Sequence, residues 1–246
     1  MNVLAIGNSF SQDSTRYLHG LARSCGLDMK VVNLYIGGCS LEMHHNNILE
    51  DAAAYELEFN GGSTGFYVSI KEALLSDNWD YVTVQQVSTL STKFETYQPY
   101  LDHLTAYIRQ YAPNSKLLVH QTWAYEDGSE RLCGMMGYKH SSEMAADLQK
   151  AYAKAAESIG ALGIIPCGQV FAQLVKNGIG PLHRDTYHAT RGLGRYALAL
   201  SWLTCLTGID PRNVPFCDFD QPVSATEMAV VKAAVAAVCT ETFAVK

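Results

Sequence analysis

The sequence predicts an α/β fold in which a parallel sheet is covered by helices on both faces. Short apolar runs recur along the chain, and helical patterns separate most of them. Strands in a sheet covered on both faces are continuous apolar runs rather than alternating ones, as here. The predicted strands are residues 3–6, 30–35, 81–85, 116–120 and 163–167.

Five segments carry apolar residues three or four positions apart, which is typical of helices. They are residues 15–25, 97–111, 141–158, 190–206 and 225–242. Two stretches, residues 39–67 and 122–140, fit neither pattern and each follows a predicted strand. We expect substrate-binding loops or lids there, with irregular surface insertions as an equal alternative. Without a repeat or a linker, a single domain over residues 1–246 is expected.

Composition narrows the class of protein. The chain has 246 residues, 48% of them hydrophobic, and a net charge of −6 without a basic run. Neither nucleic acid nor a membrane is therefore an expected partner, and no apolar run is long enough to span a bilayer. No signal sequence is visible, so a cytoplasmic location is expected, although a processed, exported form stays open. The seven cysteines include no Cys-x-x-Cys pair, which favours reduced thiols over a zinc site.

The most informative stretch is residues 3–11, where an apolar strand breaks at Gly7 and Asn8-Ser9 follows at once. A helical pattern then begins near Ser14. Ligands of open α/β sheets bind just outside the carboxyl ends of the strands, which is where this turn places Ser9. The adjoining helix N-terminus favours developing negative charge. Alone, Gly-Asn-Ser is also an ordinary turn.

A serine hydroxyl needs a base within hydrogen-bond reach, and the base needs an orienting group. The best candidates are His188 and Asp185, because a spacing of three residues can bring a carboxylate beside an imidazole. His183 is a competing base. Taken alone, the pair is more simply a helix-start residue and a surface histidine.

Acyl transfer also requires hydrogen-bond donors aimed at the oxyanion. The N–H of Ser9 is one candidate, and Gly38, in the turn after the second strand, is another. The end of the third strand offers the Gln86 amide or the Ser88 hydroxyl as a third donor. A plain glycine turn and solvated strand ends are the simpler interpretations.

Three blocks of this chain resemble those of the SGNH (GDSL-type) esterases and lipases. Residues 7–11, Gly-Asn-Ser-Phe-Ser, resemble the first block, and residues 37–40, Gly-Gly-Cys-Ser, the second. Residues 185–188, Asp-Thr-Tyr-His, match the Asp-x-x-His of the last block. The third block departs from the family, because its usual Gly-x-Asn-Asp is absent from residues 84–89, and Asn8 stands where the family commonly has Asp.

The resemblance implies a three-layer, flavodoxin-like fold with a five-stranded parallel sheet. It implies that Ser9 is the nucleophile, His188 the base and Asp185 its orienting group, with the N–H groups of Ser9 and Gly38 in the oxyanion hole. The expected reaction is cleavage of an acyl ester, with a small acyl or acetyl group on a carbohydrate as the expected substrate, and without a metal or an organic cofactor. Oligomeric state does not follow from the sequence.

Further residues are candidates for substrate binding. Asn8, His120 and Trp123 lie at or just after the ends of predicted strands, so we expect them to line the pocket. Trp123, Tyr125 and Tyr138 form either an aromatic sugar platform or, slightly favoured, the apolar underside of a loop. His44-His45 lacks further ligands at diagnostic spacing, so a solvated loop is favoured over a metal site.

Two functions of other classes stay open. A ligand-binding protein with little turnover would explain the missing asparagine of the third block. A nucleotide or phosphate binder would use residues 7–14 as an anion cradle, but the chain lacks a Gly-x-Gly-x-x-Gly or Walker-type motif, which makes this the weaker alternative.

Overall fold

The apolar runs form the centre of a seven-stranded mixed sheet in the computed structural model of the protein, which describes residues 1–242. The sheet order is β4-β3-β2-β1-β5-β6-β7. Strands β2, β1, β5, β6 and β7 are parallel, whereas β3 is antiparallel to both β2 and β4. The strands are β1 (Asn2–Gly7), β2 (Lys30–Tyr35), β3 (Tyr55–Phe59), β4 (Gly62–Val68), β5 (Tyr81–Val84), β6 (Lys116–His120) and β7 (Gly163–Ile165).

The prediction of a five-stranded sheet is wrong because it omits the β3–β4 hairpin, which extends the sheet beyond β2. The hairpin occupies much of the segment expected to be a loop or lid. Its second strand, Gly-Ser-Thr-Gly-Phe-Tyr-Val, is largely exposed, so it lacks the apolar run by which the central strands were found. A signal was present in Asn60-Gly61, both of which have positive φ, since Asn-Gly is the preferred pair of a tight hairpin turn.

Nine helices lie in the described part of the chain. Helix α8 is buried almost all round and packs against α1, α2, α7 and α9, while α5 packs against α3 and α4. The helices are α1 (Ser9–Thr15), α2 (Leu18–Ser24), α3 (Leu41–Glu50), α4 (Ile70–Leu75), α5 (Tyr100–Tyr111), α6 (Ser141–Ser158), α7 (Cys167–Lys176), α8 (Leu193–Thr207) and α9 (Ala225–Thr242). None of them, over the residues described, is long and apolar enough to cross a membrane.

Several helix boundaries differ from the prediction. The first helix begins at Ser9 rather than near Ser14, because Asn8 caps it directly after the strand. The predicted helix over 15–25 corresponds to α2, which Arg16 and Tyr17 separate from the end of α1. Helix α7 was missed because Pro166 ends the last strand early and precedes the first helical turn.

The segment 122–140 is an irregular connection with one π-helical turn, Arg131–Met135. Trp123 and Tyr125 are fully buried in it. Their burial supports the interpretation of these aromatic residues as the apolar underside of a loop.

Candidate active site

The turn after β1 presents Ser9 as the first residue of α1. Asn8 accepts a hydrogen bond from the N–H of Phe10 (3.0 Å), and the Ser11 hydroxyl accepts one from the N–H of Asn8 (3.0 Å). A side chain at Gly7 would collide with the Ser11 hydroxyl, so this close return of the chain requires glycine. Ser9 is half-buried, and its N–H, the first of the helix, has no intrahelical carbonyl to bind.

A buried hydrogen-bond network lies beneath this turn. Asn8 Nδ2 donates to the carbonyl of Cys39 (2.9 Å), and Gln85 Nε2 donates to Asn8 Oδ1 (2.7 Å). Gln85 Oε1 lies 2.6 Å from His120 Nδ1, and His120 Nε2 lies 3.0 Å from the Ser14 hydroxyl. Burial lowers the pKa of His120 to about 3 and so keeps its imidazole neutral. Asn8 and His120, expected to line the pocket, thus lie in a buried layer whose polar atoms bind protein groups.

Ser9, His188 and Asp185 come together at the carboxyl edge of the sheet. The Ser9 hydroxyl lies 2.8 Å from His188 Nε2, and His188 Nδ1 lies 2.8 Å from Asp185 Oδ2. The other oxygen of Asp185 accepts the N–H of His188 (2.8 Å). Burial alone would raise the pKa of Asp185, but these hydrogen bonds from His188 outweigh it and the pKa is lowered. The Asp185 carboxylate therefore stays ionised beside the imidazole of His188.

Asp13 holds the loop that carries the triad histidine. Its carboxylate is fully buried on α1, one turn beyond Ser9. It accepts hydrogen bonds from Arg184 Nη1 (2.9 and 2.8 Å), Arg195 Nε (2.8 Å) and the N–H of Ala189 (3.1 Å). The helix that begins at Ser9 and the loop that carries His188 are thus joined through one buried carboxylate.

The 122–126 segment braces the same loop from its other side. Trp123 donates its indole N–H to the carbonyl of Tyr187 (2.8 Å), and the N–H of Glu126 donates to the carbonyl of Thr186 (2.8 Å). The indole also stacks on Phe10, with ring centroids 4.2 Å apart. Trp123, expected to contact substrate, is instead buried between α1 and the loop that carries His188.

The other candidate histidines have separate partners. His183 Nε2 lies 3.0 Å from the carbonyl of Ala124, and burial lowers its pKa to about 4. His44 Nδ1 lies 2.8 Å from the Tyr55 hydroxyl, and burial lowers its pKa to about 3. Within the described residues, no group of three potential metal ligands surrounds either of them. His188 is thus the histidine that contacts the Ser9 hydroxyl.

The oxyanion-hole candidates differ in their surroundings. Gly38 lies in an exposed turn with φ of 67°, a conformation that glycine adopts without strain, and no described heavy atom lies within 4 Å of where a Cβ would stand. The Ser88 hydroxyl, in contrast, is buried and lies 2.8 Å from the hydroxyl of Tyr125.

Gln86 is fully buried, and both ends of its amide have partners. Its Oε1 accepts the N–H groups of Leu41 (3.0 Å) and Val87 (2.8 Å), and its Nε2 donates to the carbonyl of Thr96 (2.9 Å). These bonds tie the start of α3 to the end of β5 and to the segment before α5. An oxyanion would have to compete with them for the amide.

Asp13, Gln85 and the arginines that bind Asp13 were missed by sequence reasoning. The sequence points to Asp13 only if the first helix is taken to begin at Ser9, because Asp13 then lies four residues after Ser9 on the same helix. Its partners Arg184 and Arg195 are far away in the chain. Gln85 was noticed as part of the strand end, but its contact with Asn8 depends on the pairing of β1 with β5.

A cavity of about 600 Å³ lies between the 124–127 segment, α7 and residues 179–183. Its lining is mainly apolar and includes Phe171, Val175 and Leu182. Neither Ser9 nor His188 lines it, so the reacting bond of an ester on Ser9 would lie outside this cavity.

Solved structures share this architecture. A candidate SGNH hydrolase from Slackia heliotrinireducens is 20% identical with a TM-score of 0.59, and the match covers 84% of this chain and 98% of that one. A candidate GDSL-like lipase from Parabacteroides merdae is 16% identical with a TM-score of 0.54, and covers 82% and 93%. At these identities the likeness shows the fold, which is that of the SGNH hydrolases.

The chain itself belongs to the family described as Domain of unknown function (DUF4886), whose profile matches residues 2–238. A DUF4886 family protein from Bacteroides uniformis is 35% identical to it with a TM-score of 0.90. That match covers 96% of this chain and 93% of the other. No curated protein matches the sequence.

Proposed function

We propose that the protein is a serine hydrolase that cleaves an acyl ester through Ser9, His188 and Asp185. The observation that carries the proposal is the continuous hydrogen-bonded series from Ser9 Oγ to His188 Nε2 and from His188 Nδ1 to Asp185 Oδ2, each step 2.8 Å long. This is the arrangement in which a base activates a hydroxyl and a carboxylate orients the base. The half-buried position of Ser9 supports access by a substrate.

In the proposed reaction, His188 Nε2 takes the hydroxyl proton as Ser9 Oγ bonds to the ester carbonyl carbon. The tetrahedral intermediate collapses, the bond to the alcohol oxygen breaks, and the imidazolium gives its proton to that oxygen. Water then attacks the acyl-serine, His188 takes a proton from the water, and the carboxylic acid and free Ser9 hydroxyl are released. Asp185 stabilises the imidazolium in both steps.

We assign the oxyanion hole to the N–H groups of Ser9 and Gly38. The family's third donor has no free counterpart at Gln86 or Ser88, because both side chains have protein partners. Removing one donor from such a hole costs about 2.7–4 kcal/mol of transition-state stabilisation. The proposal therefore predicts a slow hydrolase. A small acyl group, such as acetyl on a carbohydrate, is adopted as substrate by analogy with the fold.

The test is hydrolysis of p-nitrophenyl acetate, together with mass spectrometry after treatment with a serine-reactive fluorophosphonate. Wild type and the control Ser24→Ala, which changes a serine of α2, should hydrolyse the ester and take one adduct on Ser9. Ser9→Ala should lose both activity and adduct, and His188→Asn should lose activity. Folded wild-type protein with neither turnover nor adduct would overturn the proposal.

A ligand-binding protein with negligible turnover is the second candidate function. The engaged side chains of Gln86 and Ser88 favour it, since they leave the oxyanion hole without a third side-chain donor. An adduct on Ser9 without turnover of any ester in the assay would select this alternative.

A further inference from the structure

Arg131 lies beside the triad, at the start of the π-helical turn in the 122–140 segment. Its guanidinium carbon is 3.8 Å from the centroid of the Tyr187 ring, and that ring is 3.8 Å from the His188 ring, centroid to centroid. Because the guanidinium carbon and the imidazole are each 3.8 Å from the centre of the Tyr187 ring, they lie no more than about 7.6 Å apart. That distance is comparable to the length of one sugar or aromatic ring.

Arg131 differs from the other arginines of the site in having no carboxylate partner. Arg184 and Arg195 are both neutralised by Asp13. No ion pair among the described residues includes Arg131, and Asp185 is engaged with His188. The half-buried guanidinium interacts with the Tyr187 ring and with the Tyr125 hydroxyl. Neither of these neutral partners cancels its charge, so it keeps its capacity to bind an anion.

The chemistry of the triad indicates which part of an ester would meet this charge. His188 must give its proton to the leaving oxygen, so the alcohol portion lies on the imidazole side of the reacting carbon. The Tyr187 ring lies next to both the imidazole of His188 and the guanidinium of Arg131. A group on the alcohol would therefore approach the guanidinium, whereas the acyl group would lie beyond Ser9.

We propose that Arg131 binds an anionic group on the alcohol portion of the substrate, so that the protein prefers acyl esters of anionic alcohols. The inference rests on the proposed hydrolase function and deepens it. The planar guanidinium pairs with a carboxylate, a phosphate or a sulfate through two parallel hydrogen bonds, and these groups share the required charge and geometry.

The experiment compares two esters that differ in one charge. Wild type is assayed on 4-acetoxybenzoate and on methyl 4-acetoxybenzoate, with each rate corrected for spontaneous hydrolysis. Arg131→Met should raise KM for the anionic ester about tenfold, as expected for a hydrogen bond to a charged group. The neutral ester should be unaffected. Arg131→Lys should retain part of the preference, and Lys139→Met, which removes an exposed cation of the same segment, should change neither ester.

Three results would overturn the inference. One is the absence of a charge preference in wild type. Another is an equal loss of kcat on both esters in Arg131→Met, which would indicate a role in holding Tyr187 or the oxyanion. The third is a preference for mono-4-nitrophenyl succinate over 4-nitrophenyl butyrate that Arg131→Met abolishes, because the anion site would then face the acyl group.

A labelling assay separates failure of this inference from failure of the proposed function. The product analogue 4-hydroxybenzoate should slow fluorophosphonate labelling of Ser9 in wild type, and about tenfold more of it should be needed in Arg131→Met. Absence of labelling on folded wild type would remove the hydrolase proposal. Labelling of Ser9 with equal protection by 4-hydroxybenzoate and its methyl ester would remove only the anion site.

Discussion

Replacing Asp13 by asparagine tests whether one buried carboxylate sets the distance between Ser9 and His188, the proposed nucleophile and base. The substitution keeps the size of the side chain but removes the charge that Arg184 and Arg195 share. It also puts an amide N–H near groups that only donate hydrogen bonds. We expect the loop that carries His188 to move relative to Ser9.

The magnitude follows from the burial of the three side chains. Asp13 is fully buried, whereas the side chains of Arg184 and Arg195 are 26% and 13% exposed. Breaking a buried ion pair by changing one partner costs about 3–5 kcal/mol. Because both arginines retain access to water and Arg195 keeps Asp220, we expect about 3 kcal/mol. For a chain of this size that corresponds to a fall in Tm of about 6–12 °C.

The activity assay is the kcat for p-nitrophenyl acetate below the melting transition of the variant. A shift of about 1 Å between catalytic groups can cost about 100-fold, so we expect kcat to fall by about 10- to 100-fold. Asp220→Asn is the matched control, because Asp220 binds two arginines, Arg16 and Arg195, but forms no hydrogen bond with Arg184 or with the N–H of Ala189. Unchanged kcat with a lowered Tm would refute the positioning role, and an unchanged Tm would refute the estimate itself.

Three further substitutions test other buried groups by thermal unfolding. Burial raises the pKa of Glu58, although hydrogen bonds to its carboxylate act in the opposite direction. Ionisation of Glu58 therefore destabilises the folded state as pH rises through the folded-state pKa. Glu58→Gln should raise Tm more at pH 8 than at pH 4. Gln86→Ala leaves the N–H groups of Leu41 and Val87 without an acceptor and should lower the free energy of unfolding by about 1–3 kcal/mol for each, with kcat unchanged. A lower kcat would indicate that Gln86 belongs to the oxyanion hole. Asn8→Asp places a carboxylate oxygen against the carbonyl of Cys39 and should lower the free energy of unfolding by at least about 1–3 kcal/mol, with part of this stability recovered at acid pH. A variant as stable as wild type at pH 7 would contradict this prediction.

The central strands and the contact of Asp185 with His188 could be predicted from the sequence because their signals are local. The central strands are mainly apolar runs, and Asp185 lies three residues from His188. Ser9 was expected at the carboxyl edge of the sheet because it follows the first strand. The resemblance to the SGNH blocks pointed to the same pair of residues.

The remaining features depend on contacts between distant residues. Asp13 gains its role only through Arg184 and Arg195, which lie 171 and 182 positions away. Gln86 was a candidate for the oxyanion hole because it lies at the end of the third predicted strand, but the structure encloses it between the start of α3 and Thr96. No local pattern distinguishes a polar side chain that faces a substrate from one that crosslinks the backbone.

The separation of the triad along the chain bears on synthesis. Ser9 and His188 are 179 positions apart, so a ribosome completes the nucleophile long before its base. The strand that leads to Ser9 pairs with β2 and with β5, and the second of these partners begins only at Tyr81. A domain generally folds as one unit. A nascent chain that ends before His188 would therefore lack the proposed base, so the proposed ester hydrolysis requires that about three quarters of the polypeptide has been made.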